Sequence, residues 1–259
     1  LTPPEGNPLK LETSFTDFRV GGSSMRTYLA RPAAPGRFPA IVAFTDIFQL
    51  TGSSLRAIDR LAGYGFAVFA PEIYHRREPA GAALPFDDAG KLRGQADADG
   101  TAVADFDADA RTLIAALGDD DRVDPGAIGV VGWCLGGHLA FRSALRADVR
   151  ATVAFYPTGL QNGKLGADAD AGSLARAAEI RGELLVIFGS SDPHVPEAAR
   201  ATIAAALASA GTRHTISLYD AEHAFMRDEG PRYDPELTDR AYAEAVAFFR
   251  RVMPGRSSS

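Results

Sequence analysis

The sequence predicts an α/β protein whose central sheet is mostly parallel and covered by helices on both faces. Three observations predict it. Short β-branched or aromatic runs alternate with Ala-, Arg- and Leu-rich segments over nearly the whole chain. Runs such as Pro-Ala-Ile-Val-Ala-Phe (39–44) are apolar at consecutive positions, as strands covered on both faces are. The chain has 259 residues, 46% hydrophobic and 23% charged, enough to bury a sizeable core without disulfide or metal staples. This length accommodates one large domain or two small ones. The unbroken alternation favours a single domain over 1–259, with a loose arm at 1–10 and a polar tail at 255–259.

Taken in order, two strands are expected near Glu12–Val20 and Met25–Arg31, and a doubly buried strand over Pro39–Phe44. A helix follows over Ser53–Tyr64, with Leu55, Ile58 and Leu61 on one face, and then a strand over Gly65–Ala70. Val103, Phe106, Ala110, Leu113 and Leu117 keep helical spacing and predict a long helix over Thr101–Leu117. Ala127–Gly132 reads as a strand, Cys134–Leu145 as a helix, and Ala151–Tyr156 and Glu183–Phe188 as strands. Glu197–Ala210 reads as a helix, Thr212–Tyr219 as a strand and Asp234–Arg251 as the closing helix. Two long segments, Pro71–Gly100 and Pro157–Arg181, read as irregular, and loops of that length usually carry function or local helices.

Composition excludes several classes. A single cysteine, Cys134, rules out an intramolecular disulfide, a Cys-rich zinc site and a dithiol redox pair. A net charge of −6 argues against a general nucleic-acid binder. No apolar run approaches the roughly 18 residues of a membrane span. The start, Leu1-Thr-Pro-Pro-Glu5, has no basic segment followed by an apolar one. The expectation is a cytoplasmic protein, a monomer or weak homodimer, with no nucleic-acid, membrane, metal or cofactor partner.

The sharpest local signal is Gly132-Trp-Cys-Leu-Gly-Gly137, where an apolar strand gives way to a helix. This is the Gly-x-nucleophile-x-Gly pattern of a strained strand-to-helix turn, in which neighbours of the nucleophile must lack side chains. Gly132 and Gly136 supply that room. Cys134 would stand at a helix N-terminus, where the dipole favours a thiolate, and the amide of Leu135 would face a developing oxyanion. The competing reading is a structural glycine-rich turn around a buried thiol. A metal site of Cys134 and His138, four residues apart, lacks a further ligand at helical spacing.

Beyond the elbow helix lie His194, His214 and His223. His214 falls within a predicted strand, whereas His223 follows that strand in a loop before the closing helix, where a general base belongs. Asp192 follows the strand Glu183–Phe188 and can orient the imidazole. Nucleophile, acid and histidine thus come at successive strand ends, in the chain order of one hydrolase architecture. Asp220 and Glu222 are competing acids, expected to point elsewhere.

The strand Pro39–Phe44 runs into Thr45-Asp-Ile-Phe-Gln49. Ile47 is the candidate for a second oxyanion amide. Asp46 is placed either beside the thiol, as an acceptor for it, or as a cap on the following helix. Arg76 and Arg227 both follow strand ends on the edge expected to hold the site. They read either as a bidentate clamp for a substrate carboxylate or as surface arginines with acidic neighbours. Two local arginines can dominate the field at a site despite the overall negative charge.

These residues resemble the dienelactone hydrolase (carboxymethylenebutenolidase) family of α/β-hydrolases, over about Thr13 to Phe249. The resemblance rests on Asp-Ile-Phe (46–48), Ala-Pro-Glu-Ile-Tyr-His-Arg (70–76), Gly-Trp-Cys-Leu-Gly-Gly-His (132–138), Phe-Gly-Ser-Ser-Asp-Pro-His-Val-Pro (188–196) and His-Ala-Phe-Met-Arg (223–227). It implies an α/β-hydrolase fold and a Cys134–His223–Asp192 triad. It also implies carboxylate-binding roles for Arg76 and Arg227, with Tyr74 lining the same region; Trp133 is a further candidate for binding substrate. The family's thiol-contacting acid is a Glu in Glu-Ile-Phe-Gly; here Asp46 stands in its place and Gln49 replaces the glycine. Arg232 and Tyr233 are expected to border the pocket. The expected activity is cofactor-free hydrolysis of a small, carboxylate-bearing ester or lactone. The rival reading is a catalytically silent α/β-hydrolase scaffold that binds a small molecule.

Overall fold

The computed structural model describes residues 10–254; most of the predicted arm (1–10) and the whole tail (255–259) lie outside the described residues. Two long strands, β1 (Leu11–Val20) and β2 (Ser23–Pro32), form an antiparallel hairpin in full register, Leu11 opposite Pro32 through Val20 opposite Ser23. β3 (Phe38–Phe44) leads through a loop to α1 (Gly52–Gly63), which Thr51 starts by accepting a hydrogen bond from the Ser54 amide. β4 (Ala67–Pro71) is followed by α2 (Asp88–Asp99) and α3 (Val103–Asp119). Next come β5 (Val123–Trp133), α4 (Leu135–Ser143) and β6 (Ala151–Phe155). The chain closes with β7 (Glu183–Gly189), α5 (Glu197–Ser209), β8 (His214–Tyr219) and α6 (Pro235–Val252).

The eight strands form one sheet in the order β1-β2-β4-β3-β5-β6-β7-β8. From β4 onward every neighbouring pair is parallel, and β2 joins β4 antiparallel. The strand pleat divides the core. Ile41, Ala43 and Val131 pack with Ile58 and Leu61 of α1 and Phe249 of α6. Ala40, Val42 and Val130 face α3 and α4, and Ala154 and Val186 face Phe141 of α4 and Ile203 of α5. Alternate residues of one strand therefore bury against different helix layers, which is why the central strands are apolar at every position.

Two departures from the sequence reading matter for the site. β5 begins at Val123, four residues before the expected Ala127, because Val123 pairs with Phe38 across an irregular register. The segment 71–100 contains α2, capped by Asp87, whose carboxylate accepts the Gly90 amide at 2.7 Å. Its buried residues are Gly90, Gly94, Asp97 and Ala98, and Leu92 points outward, so it carries no apolar stripe to read. The segment 157–181 holds two short 3-10 turns, Leu160–Asn162 and Leu174–Glu179. No helix among the described residues is long and apolar enough to cross a membrane.

Candidate active site

The parallel strands deliver their C-terminal ends to one edge of the sheet, and the chemistry-bearing residues follow those ends. Cys134 follows β5 directly, in a positive-φ conformation (58°) strained for an L residue. The turn exists because backbones touch around it. A Cβ on Gly132 would lie 1.9 Å from the Gly136 carbonyl oxygen, and a Cβ on Gly136 would lie 2.1 Å from that of Phe44. The elbow is tied to its surroundings by the Cys134 amide, which donates to the Phe155 carbonyl at 3.1 Å.

The thiol contacts Thr158 Oγ1 at 3.8 Å. His223, in the loop after β8, donates from Nδ1 to Asp192 Oδ2 at 2.7 Å, and both side chains are buried. Asp192 is fixed on its other oxygen by the amides of His194 (2.7 Å) and Val195 (3.2 Å). Its pKa is held below the usual carboxylate value: burial pushes it up, and the hydrogen bond and charge of His223 outweigh that. His223 is raised to about 9. Burial acts to lower it, and the electrostatic pull and hydrogen bonds of Cys134 and Asp192 more than compensate. Asp220 and Glu222 are engaged elsewhere, Asp220 accepting from Ser190 and Glu222 paired with Arg232 at 2.9 Å.

Cys134, His223, Leu135 and Ile47 all border one cavity of about 480 Å³. Leu135 opens α4, and neither its amide nor that of Ile47 has a hydrogen-bond partner among the described residues. Two unclaimed donors on the cavity that the thiol borders suit an oxyanion.

Five expected positions fall elsewhere. Asp46 does not bond the thiol, nor does it cap α1, whose cap is Thr51. Its Oδ1 accepts the Phe48 amide at 2.9 Å, and its Oδ2 takes Arg227 through Nε (3.1 Å) and Nη2 (2.5 Å). The nearby guanidinium is the stronger partner for a short carboxylate. Arg76 does not line the cavity: it forks onto Asp109 of α3 with two bonds of 2.7 Å, since that buried carboxylate requires a cation. Tyr74 is buried beneath α2, donating to the Gly94 carbonyl at 3.1 Å, rather than lining the cavity. Trp133 stacks on Phe155 at 5.7 Å and borders a separate pocket behind the Asp46–Arg227 pair. Of the two residues after Arg227 singled out as bordering, Arg232 does so, while Tyr233 is exposed and away from the lining.

Arg227 does reach the cavity, its guanidinium 4.9 Å from the Phe48 ring and 4.8 Å from the Phe86 ring. Sequence reasoning missed three contributors. Lys91 and Phe86 arrive on or beside α2, which lacks an apolar period. His194, left without a role, lies 4.6 Å from His223, ring to ring and edge to face. Its position two residues after Asp192 was the one available signal. His138 is fully buried between Thr158 O (3.1 Å) and Ser173 Oγ (2.7 Å), and burial lowers its pKa to about 4. It serves packing. Among the described residues no cluster of side chains could hold a metal ion.

The chain matches the model of the dienelactone hydrolase family over residues 25–253. It is 34% identical over 252 residues to a Saccharomyces cerevisiae protein named "Putative carboxymethylenebutenolidase", covering 93% of this chain and 92% of that one. To the carboxymethylenebutenolidase of Pseudomonas sp. (strain P51) it is 28% identical over 234 residues, covering 90% and 93%. A solved structure, "Putative Dienelactone Hydrolase" of Klebsiella pneumoniae subsp. pneumoniae, shares the fold at a TM-score of 0.82 and 23% identity, covering 93% of this chain and 99% of the other. With an α/β-hydrolase sheet and a family model matched over most of its length, the chain belongs to the dienelactone hydrolase family, whose members are hydrolases of carboxylic esters and lactones.

Proposed function

We propose that this protein hydrolyses carboxylate-bearing esters or lactones through a thioester formed on Cys134. The observation that carries the reading is the convergence, on one cavity, of an elbow cysteine, an Asp-bound histidine and two unclaimed amides.

In this mechanism His223 takes the proton of the Cys134 thiol and leaves the thiolate beside the carbonyl. The thiolate attacks the carbonyl carbon and a C–S bond forms. The carbonyl oxygen takes the negative charge between the amides of Ile47 and Leu135. The tetrahedral species collapses, the C–O bond to the alcohol breaks, and the leaving oxygen takes its proton from His223. A water then gives a proton to His223 and attacks the thioester, so that carboxylic acid and thiolate are regenerated. Asp192 keeps Nδ1 protonated throughout, so that Nε2 faces the reacting atoms.

Arg227 supports the preference for a carboxylate. Its guanidinium lies against two aromatic rings and is already paired with Asp46, so an incoming carboxylate joins an organised cation rather than ordering a free one.

The test is hydrolysis of a short activated aryl ester, with mass spectrometry of the quenched enzyme. Wild type is expected to turn over and to carry the acyl mass on Cys134. Cys134→Ala is expected to lose about 10³-fold or more in kcat/KM. Undiminished turnover by Cys134→Ala would remove the nucleophile assignment.

A further inference from the structure

The cavity at the elbow is large for a single small lactone. A space of about 150 Å³ suffices for one benzene ring, whereas this one holds about 480 Å³. That size falls in the range of sites for molecules of two or three rings.

Its walls differ in chemistry. One side is the edge-to-face pair Phe48 and Phe86, their centroids 4.8 Å apart, with Arg227 over both. Another part of the lining comes from the irregular segment after β6 and is polar, with Gln161, Asn162 and Lys164. This second wall is fastened at several points. The Thr158 amide donates to the Cys134 carbonyl at 3.2 Å, and the Ala167 amide to the Thr101 carbonyl at 2.9 Å. Asp168 accepts the Val103 amide at 2.8 Å, and Leu165 is buried. A wall anchored in this way keeps its distance from the aromatic pair, so the width of the cavity is built into the fold.

We infer that the substrate is an ester or lactone extended by a second ring and a polar arm, the ring lying against Phe86 and the arm reaching the Gln161–Lys164 wall. The inference rests on the hydrolase reading above and deepens it by naming the substrate class. A single-ring substrate would leave much of the cavity to water, and binding energy from remote groups is what positions the reacting carbonyl. Phe48 is buried and Arg227 lies over both rings, so it is the partly exposed Phe86 that an aryl group removes from water, while amide or hydroxyl groups on the arm match the polar wall.

The experiment compares kcat/KM across two matched series of esters on the whole protein. One series varies the acyl group from acetyl through benzoyl to naphthoyl and to a naphthoyl bearing an amide arm. The other varies the alcohol in the same way with the acyl group fixed. The expected result is a rise of roughly tenfold or more from the smallest to the two-ring member in at least one series, and a further gain with the arm. Narrowing the cavity with Asn162→Trp or Gln95→Trp, each checked for an unchanged circular dichroism spectrum, is expected to lower the large-to-small ratio of kcat/KM. Flat or falling kcat/KM with size in both series would overturn the inference and leave the hydrolase reading standing. A ratio untouched by both folded tryptophan variants would likewise overturn it. No hydrolysis of any member would overturn the hydrolase reading and this inference together.

Discussion

At the residue scale, the pairing His223 makes with Cys134 and Asp192 gives it a measurable pH signature. The imidazole is raised from 6.5 to about 9: burial opposes the proton, and the charge of Cys134, then the bond to Asp192, prevail. A raised folded-state value means that the stabilisation is fully present below about pH 6.5 and is lost as pH rises through about 9. In Cys134→Ala the largest of the raising causes is gone while burial remains. The imidazole pKa, followed by NMR titration, is expected to fall, and the loss of stability to move to lower pH. An unchanged titration in the variant would contradict the ion pair. The two arginines separate by the same logic. Arg76 neutralises buried Asp109, so Arg76→Ala is expected to cost about 3–5 kcal/mol of unfolding free energy and leave KM for a carboxylate-bearing ester unchanged. Arg227→Ala is expected to raise KM for that ester roughly tenfold relative to a neutral isostere. Urea unfolding and paired kinetics check both, and a KM effect at Arg76 would reinstate it in the site.

At the element scale, α2 packs directly on the loop that carries Ile47, although nothing in its composition announces a helix. It approaches the site through glycine: a Cβ on Gly94 would lie 2.2 Å from the Ile47 carbonyl oxygen and 3.2 Å from the Ile47 Cβ. Ion pairs clamp it to the segment after β4, Arg93 onto Glu78 and Arg77 onto Asp97. Gly94→Ala must therefore push either the helix or Ile47 itself, through its carbonyl and Cβ, and so tilt the preceding peptide that carries the Ile47 amide. The expected outcome is a fall in kcat of roughly 10²-fold, the size of one lost oxyanion donor, with KM changed much less. A loss confined to KM would show that the loop binds substrate without serving the transition state. The same feature explains what the sequence concealed. Helix α6 was legible because Ala241, Tyr242, Ala245 and Phe249 recur at helical spacing. Helix α2 buries glycines and an aspartate, so its burial comes from close backbone contact and leaves no hydrophobic period.

At the scale of the whole molecule, the chain carries a net charge of −6 around a site with its own charge pattern. Lys91, Lys164, Arg227 and Arg232 line the cavity against Asp87, Asp88 and Asp99, and Asp87 is occupied as a helix cap. If the local cations govern approach, kcat/KM for a carboxylate-bearing ester falls with added salt by roughly two- to fivefold, while a neutral ester is unaffected. A rise with salt would mean that the overall negative charge dominates. The global topology also sets the order of the site. Because β5, β7 and β8 are parallel, their C-terminal ends share one edge, and Cys134, Asp192 and His223 meet there although 89 positions separate the first from the last, 223 − 134.

The sequence by itself determined the strand–helix alternation, the elbow around Cys134 and the loops that hold Asp192 and His223. These are local properties: burial on both faces writes apolar runs, and backbone crowding at the elbow admits only glycine at positions 132 and 136. It also placed Ile47, Leu135 and Arg227 at the right strand ends. Tertiary structure alone decided which partner each charged side chain takes. Arg76 lies two residues from Tyr74 on a strand end facing the expected site, yet Asp109, 33 positions away on α3, claims it. Asp46 likewise goes to Arg227, 181 positions distant. An ion pair depends on the distance between groups brought together by packing, and that distance has no trace in the local pattern of residues. The width of the cavity is of the same kind, since it depends on how far a wall fastened to Thr101 and Val103 stands from Phe48 and Phe86.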